Sequence, residues 1–197
     1  MNIKSKMNEK VNSNKGMTLT EVLCAVLLVA LVSLSLATGV TFAQKTFKKS
    51  MRLSEAQELY ATLESLISNE LRYTGEVNLK NENEVDTFFS VTYALQNSST
   101  RLYALDDNGN VTKGYGQLAI GDEDTGEYNR LLAKASYTND LGAKVSITYD
   151  KDTSMFTVNL DVGTTSGSIV NKSFNVRAIN EIVLEGSGSW RKILQEE

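Results

Sequence analysis

The chain has no histidine, no proline and a single cysteine, Cys24, among its 197 residues. A lone cysteine cannot form a disulfide within one chain. Without histidine, neither a Cys/His metal site nor the usual Ser-His or Cys-His catalytic groups can be assembled. We therefore expect neither an enzyme nor a bound cofactor or metal. Because proline is absent, a long helix in this chain would have no proline kink.

Charge is scarce in one long stretch near the amino terminus. Between Met17 and Thr41 the only ionisable side chains are the carboxyl of Glu21 and the thiol of Cys24. The apolar run is long enough, at roughly 20 residues, to cross a bilayer as a helix. A charge in hydrocarbon costs on the order of several kcal/mol, so an ionisable group in such a helix is a functional candidate. Glu21 is therefore a candidate functional residue, and its partner has to be found.

Basic residues precede this run. Residues 1–16 form a polar stretch that we interpret as a processing segment outside the fold, and its charged residues are Lys4, Lys6, Glu9, Lys10 and Lys15. Removing these four lysines and one glutamate from the 20 basic and 24 acidic residues of the chain leaves 16 basic and 23 acidic residues, a net charge of −7. Such a surface is not suited to polyphosphate, so we do not expect direct binding of nucleic acid.

The junction between the two stretches carries a resemblance to a known family. The sequence Lys15-Gly16-Met17-Thr18-Leu19-Thr20-Glu21-Val22-Leu23, with the apolar run to Ala43, resembles the cleavage and assembly signal of type IV pilins and pseudopilins. That family has a short basic leader ending in glycine and a cut just after it. A glutamate five residues past the cut opens a long apolar helix. The resemblance covers only about residues 12–45.

The resemblance implies a function for three residues. A prepilin peptidase would remove residues 1–16 by cutting after Gly16 and would methylate the new amino terminus, Met17. In a filament, Glu21 would pair with the Met17 ammonium of a neighbouring subunit and set the register of packing, because an intact buried pair mainly confers specificity. The chain would be a structural subunit, a minor pilin or pseudopilin, of a pilus, competence or secretion filament.

The resemblance also implies partners and a location. The partners would be the prepilin peptidase, other pilin or pseudopilin subunits and, indirectly, an assembly ATPase and its platform protein. The leader would lie in the cytoplasm and the carboxyl-terminal domain outside the membrane. The cleaved subunit would wait in the membrane as a single-pass protein before it enters an extracellular filament or pseudopilus.

Other interpretations of the same residues stay open. The apolar run would also serve an ordinary secretory signal cut near Ala43, and a lipoprotein signal at Cys24 is a poorer match. For Glu21, the alternative to an ion pair is that it merely complements the helix macrodipole, which is worth about 0.3–1 kcal/mol. A membrane-anchored extracytoplasmic domain that binds a ligand without polymerising is the main alternative function.

Helical periodicity continues beyond the apolar run. Apolar residues recur at three- and four-residue steps, which predicts one helix from Met17 to about Glu70. The stripe consists of Phe47, Met51, Ala56, Leu59, Tyr60, Leu63, Ile67 and Leu71. We divide the helix into a transmembrane half, 17–44, and an amphipathic half, 45–74, with a stop at Thr74-Gly75. Two helices with a break between Gly39 and Gln44 are the alternative.

The remaining residues, 75–197, alternate with a period of two, as strands do. Strands are predicted at Phe89–Leu95, Leu102–Leu105, Val145–Tyr149, Phe156–Val162, Phe174–Ala178 and Glu181–Leu184. Hairpin turns are predicted at Asp106–Gly109 and Asp150–Ser154. Strands with one apolar and one polar face must bury the apolar face against another element. We therefore expect a pilin-like α+β fold in which the second half of the helix packs on an antiparallel sheet.

Three further motifs are better explained without a ligand. The acidic stretch Asp122–Glu127 lacks the full spacing of a calcium loop, so we expect a solvated loop. The sequence Gly114–Ala119 is similar to a dinucleotide fingerprint but is not placed between a strand and a helix. Gly186–Ser189 does not fit a nucleophile elbow and is interpreted as a spacer before Trp190–Glu197.

Overall fold

The computed structural model describes residues 17–90, 100–122 and 125–184 of the chain. One long helix comes first, and strands follow it. In chain order the elements are α1 (Leu19–Arg72), β1 (Thr74–Leu79), β2 (Val85–Ser90), β3 (Arg101–Leu105), β4 (Val111–Thr112), β5 (Gln117–Asp122), β6 (Glu127–Arg130), a 3-10 turn (Lys134–Ser136), β7 (Gly142–Asp150), β8 (Met155–Thr164), β9 (Gly167–Arg177) and β10 (Val183–Leu184). The class is α+β, as predicted.

The helix α1 is helical at every residue between Gly39 and Gln44, so the alternative of two helices broken there is wrong. It ends at Arg72, close to the predicted stop, and β1 starts at Thr74. The Thr74 hydroxyl donates to the carbonyl of Glu70 at 3.4 Å, and the Ile179 amide donates to the carbonyl of Arg72 at 2.9 Å. These donors satisfy carbonyls that the last helical turn leaves without an intrahelical partner.

The chain divides into two compact units, residues 1–49 and 50–197. The second unit contains the main apolar core, to which the helix contributes a stripe of buried side chains. The stripe residues that are buried are Ala56, Leu59, Tyr60, Leu63, Ile67 and Leu71. Phe47 and Met51, which the periodicity assigned to the same stripe, are exposed, so the prediction is wrong for these two residues. A fragment that begins at residue 75 would lack the helical part of this core.

The strands form three small sheets rather than the single antiparallel sheet that was predicted. The first sheet has the order β10-β1-β2, the second β4-β3-β5-β6 and the third β7-β8-β9. The pairing of β1 with β10 is parallel, and the other pairings are antiparallel. Single residue pairs connect the sheets, namely Phe88 with Thr100, Glu84 with Thr148 and Gly116 with Ala143.

The third sheet has one apolar and one polar face. In β8 the side chains of Phe156, Val158, Leu160 and Val162 are buried in the core that contains the helical stripe. The residues between them, Thr157 and Asn159, are exposed on the other face. The alternation that predicted this strand is therefore confirmed, and the second half of the helix covers the apolar face as expected.

Several strand boundaries differ from the prediction. The strand expected at Phe89–Leu95 is β2, which runs from Val85 to Ser90, and residues 91–95 lie outside the described ranges. Strand β9 starts at Gly167 rather than Phe174, and only Val183–Leu184 of the last predicted strand is extended. Strands β1, β5 and β6 were not predicted. They are short, and β6 is mostly polar, so they lack a long alternating pattern.

Candidate functional site

The first turn of α1 holds Glu21 through a reciprocal contact with Thr18. The Thr18 amide donates to Oε2 of Glu21 at 2.8 Å, and the Thr18 hydroxyl donates to the same oxygen at 2.9 Å. In return, Oγ1 of Thr18 lies 3.4 Å from the Glu21 amide nitrogen, at the long end of a hydrogen bond. This is a capping box, in which two residues three apart satisfy amides that the helix leaves unpaired.

The capping box engages only one of the two carboxylate oxygens. Both described contacts of the Glu21 carboxylate go to Oε2. The other oxygen, Oε1, has no hydrogen bond with a residue in the described ranges. A carboxylate accepts several hydrogen bonds, so one oxygen remains able to take a further donor. The helix macrodipole also favours an anion in this first turn, by about 0.3–1 kcal/mol.

The helix beyond Glu21 presents apolar side chains on every side. From Leu19 to Phe42 its large apolar side chains are between 44% and 79% exposed. The helix is long and apolar enough to cross a membrane. An exposed apolar surface of this extent marks a contact with lipid or with other protein.

The hydroxyl groups in this apolar segment are satisfied by the helix itself. Each donates to a carbonyl three or four residues earlier, with donor–acceptor distances of 2.8–3.2 Å. The donors are Ser33, Ser35, Thr38 and Thr41. In an apolar environment an unsatisfied hydroxyl is costly, so these bonds make the segment compatible with lipid.

Of the three site residues predicted from the sequence, two lie within the described ranges. Met17 is 72% exposed and precedes the capping residue Thr18. Glu21 lies in the first turn of the helix, as predicted. Gly16, at the predicted cleavage site, lies outside the described ranges. Thr18 was not recognised as a partner of Glu21, although the spacing Thr18-Leu19-Thr20-Glu21 is the sequence signature of a capping box.

Each acidic stretch lies between two paired strands. Asp122 and Glu127 face each other across the β5–β6 hairpin, and residues 123–124 lie outside the described ranges. Within those ranges the structure has no cluster of three or more acidic, histidine or cysteine side chains suited to a metal.

Asp106 accepts the Asn110 amide at 2.8 Å and the Asn108 amide at 2.9 Å, which closes the predicted hairpin. These hydrogen bonds from backbone amides lower the pKa of the Asp106 carboxyl, and the bond from Asn110 has the largest effect.

The segment Gly114–Ala119 runs into β5, which pairs with β6, so it lacks the strand-to-helix setting of a dinucleotide fingerprint. Its aromatic residue connects the second and third sheets instead. The Tyr115 hydroxyl donates to Oδ2 of Asp161 at 2.8 Å, and the Ser168 hydroxyl donates to Oδ1 of Asp161 at 2.6 Å. The Lys144 ammonium lies 4.1 Å from the centre of the Tyr115 ring. A glycine, Gly163, leaves room for this ring.

One carboxyl near the end of the helix is poorly solvated. Oε2 of Glu70 is buried, as is the hydroxyl of Ser90, and neither atom has a regular hydrogen bond with a described residue. Burial raises the pKa of the Glu70 carboxyl, and the proximity of the Ser90 hydroxyl opposes that rise only in part. The arrangement is a candidate for pH-dependent stability, because ionisation of a partly buried carboxyl opposes folding.

No protein-family model, curated protein or solved structure matches the chain significantly. The function is therefore argued from the amino-terminal site and from the exposed surface of the helix.

Proposed function

We propose that the chain is a structural subunit, a minor pilin or pseudopilin, of a type IV pilus-like filament. A prepilin peptidase cuts after Gly16, and the new amino terminus at Met17 is methylated. The cleaved chain is held in the membrane as a single-pass protein with its carboxyl-terminal domain outside. An assembly ATPase and a platform protein then transfer it into the filament. The proposal assigns no catalytic activity to the chain.

One observation carries the proposal. A single carboxylate, Glu21, lies five residues after the Gly16 cleavage motif, in the first turn of a helix whose apolar side chains are exposed. A secretory signal or a lipoprotein signal needs no acid at this position. The exposed apolar surface supports packing against lipid before assembly and against other helices after it.

The chemistry of assembly follows from the carboxylate. Cleavage creates an ammonium group at Met17, one residue before the capping box. In the filament this ammonium of one subunit pairs with Oε1 of Glu21 in its neighbour, while Thr18 keeps Oε2. Removing one partner of a buried pair costs about 3–5 kcal/mol, so loss of Glu21 is expected to reduce assembly by roughly a hundredfold or more.

The first experiment identifies the mature amino terminus. Intact-mass and peptide analysis of the protein from native membranes or sheared filaments should find a chain that begins at N-methylated Met17. A chain that begins near Ala43, or one that is lipidated at Cys24, would contradict the proposal.

The second experiment separates cleavage from assembly. In cells, Glu21→Ala should be processed and inserted but absent from the sheared filament fraction. Glu58→Ala removes an exposed acid from the same helix and should assemble normally. If Glu21→Ala assembles at the normal level, the proposed ion pair is wrong. If the wild-type chain is processed but never enters filaments, the membrane-anchored ligand-binding domain becomes the better interpretation.

A further inference from the structure

A basic stripe follows the apolar segment of α1. The stripe consists of Lys45, Lys48 and Lys49, whose spacing of three and four residues places them on one face of the helix. All three are exposed. None of them forms an ion pair or a hydrogen bond with a residue in the described ranges, so their charges are not neutralised within that part of the chain.

The opposite face of the same helical turns is apolar. Phe47 lies two positions from both Lys45 and Lys49, on the other side of the helix, and Val40 lies seven positions before it on the same side. Phe47 is 69% exposed and Val40 is 56% exposed. Long lysine side chains at the end of an apolar span extend into the headgroup layer, while apolar side chains beside them remain in contact with the lipid tails.

The position along the helix agrees with such a boundary. Lys45 lies 24 positions after Glu21, and the 23 residues between them contain no Asp, Glu, Lys or Arg. At 1.5 Å per residue this separation is about 36 Å, slightly more than the roughly 30 Å of a bilayer's hydrocarbon core. When Glu21 lies at one boundary of the hydrocarbon, the stripe lies in the headgroup layer at the other, where long lysine side chains reach the phosphates.

We propose that the basic stripe, Lys45, Lys48 and Lys49, binds the headgroups of anionic phospholipids where the helix leaves the membrane. The occupant is lipid because the stripe continues directly from the membrane segment and its unneutralised charge complements an anionic headgroup. The inference rests on the membrane location in the proposed function, and it does not depend on filament assembly.

The test measures lipid selectivity on the full-length, unassembled chain. The chain is reconstituted in nanodiscs that contain equal amounts of phosphatidylglycerol and phosphatidylcholine, and the lipids it retains are counted by native mass spectrometry. The wild type should retain phosphatidylglycerol preferentially, and high salt should weaken that preference. Each lysine near an anionic surface contributes a factor on the order of five. Lys45→Gln/Lys48→Gln/Lys49→Gln should therefore lower the preference at least tenfold.

Two matched variants control for net charge and for charge type. Lys80→Gln/Lys113→Gln/Lys151→Gln removes the same charge from exposed sites in residues 50–197 and should keep the wild-type preference. Replacing the three stripe lysines by arginine should also keep it. The inference is overturned if the wild type retains both lipids equally, or if the two glutamine variants behave alike. A Glu21→Ala chain that fails to assemble but keeps its lipid preference would show that the two proposals stand separately.

Discussion

The two parts of helix α1 use similar apolar side chains in opposite ways. In the unit that ends at residue 49, leucines and valines such as Leu27 and Val32 are exposed around the whole helix. In the unit that begins at residue 50, Leu63 and Ile67 are buried under strands of the same chain. Residue type does not distinguish the two parts. The difference teaches that burial depends on whether the chain supplies a cover, and the described residues supply none for the first part.

The polar groups of the two units differ in the same way. In the first unit the hydroxyls of Ser33 and Thr41 donate to carbonyls of their own helix. In the second unit the Tyr137 hydroxyl accepts the Leu118 amide, and Tyr115 donates to Asp161. Hydrogen bonds within one helix require only that helix, whereas long-range bonds form only in the folded domain. Substitutions in the two units should therefore have different effects on the stability of the domain.

The largest difference is expected for leucine truncation. Leu63→Ala removes a fully buried side chain and should lower the free energy of unfolding by about 2–5 kcal/mol. Leu27→Ala removes an exposed side chain and should leave it unchanged. Urea unfolding of the full-length chain in mild detergent, followed by near-ultraviolet circular dichroism, measures both. Equal effects of the two substitutions would mean that the comparison between the units is wrong.

The next difference concerns glycine. An alanine Cβ at position 163 would clash with the Gly167 carbonyl oxygen and would lie 2.9 Å from atoms of the Tyr115 ring. Gly163→Ala should therefore cost about 1–3 kcal/mol in the same unfolding measurement. A Cβ at Gly39 meets no described atom within 4 Å, and alanine favours a helix, so Gly39→Ala should leave the domain's urea midpoint unchanged. A wild-type midpoint for Gly163→Ala would contradict the close packing of Tyr115.

A smaller loss is expected for Tyr137→Phe. The Tyr137 hydroxyl accepts the buried Leu118 amide at 2.8 Å, and its removal leaves that amide unpaired, at a cost of about 1–2 kcal/mol. Burial raises the pKa of the Tyr137 phenol from 10.0 to about 12. The native state therefore favours the protonated phenol, and the wild type should lose stability as the pH rises through that interval. In Tyr137→Phe this part of the loss of stability at high pH should be absent. Tyr73→Phe, which changes an exposed residue, should keep it.

The smallest expected change is a gain in stability on substitution of Glu70. Burial raises the pKa of the Glu70 carboxyl above its ordinary value of 4.5. Ionisation of Glu70 therefore opposes folding as the pH rises above that value. Glu70→Gln should therefore stabilise the domain at pH 7 by up to about 1 kcal/mol, since the carboxyl is only partly buried. The gain should vanish in acid, below the unfolded-state pKa. Unfolding measured from pH 4 to pH 8, with the exposed Glu58→Gln as control, tests this, and a pH-independent gain would contradict it.

Most of the features that were predicted correctly are local, and the exception is the packing of the second half of the helix on the apolar strand faces. The helix follows from apolar spacing and absent charge, and the hairpins at Asp106–Gly109 and Asp150–Ser154 follow from turn residues. The capping box of Thr18 and Glu21 was equally local and could have been predicted from its spacing. Gly16 and the carboxyl-terminal spacer lie outside the described ranges, so their roles stay predictions.

The sequence by itself determined a long helix, a charge-free segment that opens at Glu21, and a β-rich domain, because these depend on neighbours a few positions apart. The tertiary structure alone decided the division into three sheets, the parallel pairing of β1 with β10 and the position of Tyr115 between two sheets. It also decided that Phe47 is exposed although it shares the helical period of the buried stripe. The physical reason is that these outcomes depend on contacts between residues far apart in the chain, which periodicity does not encode.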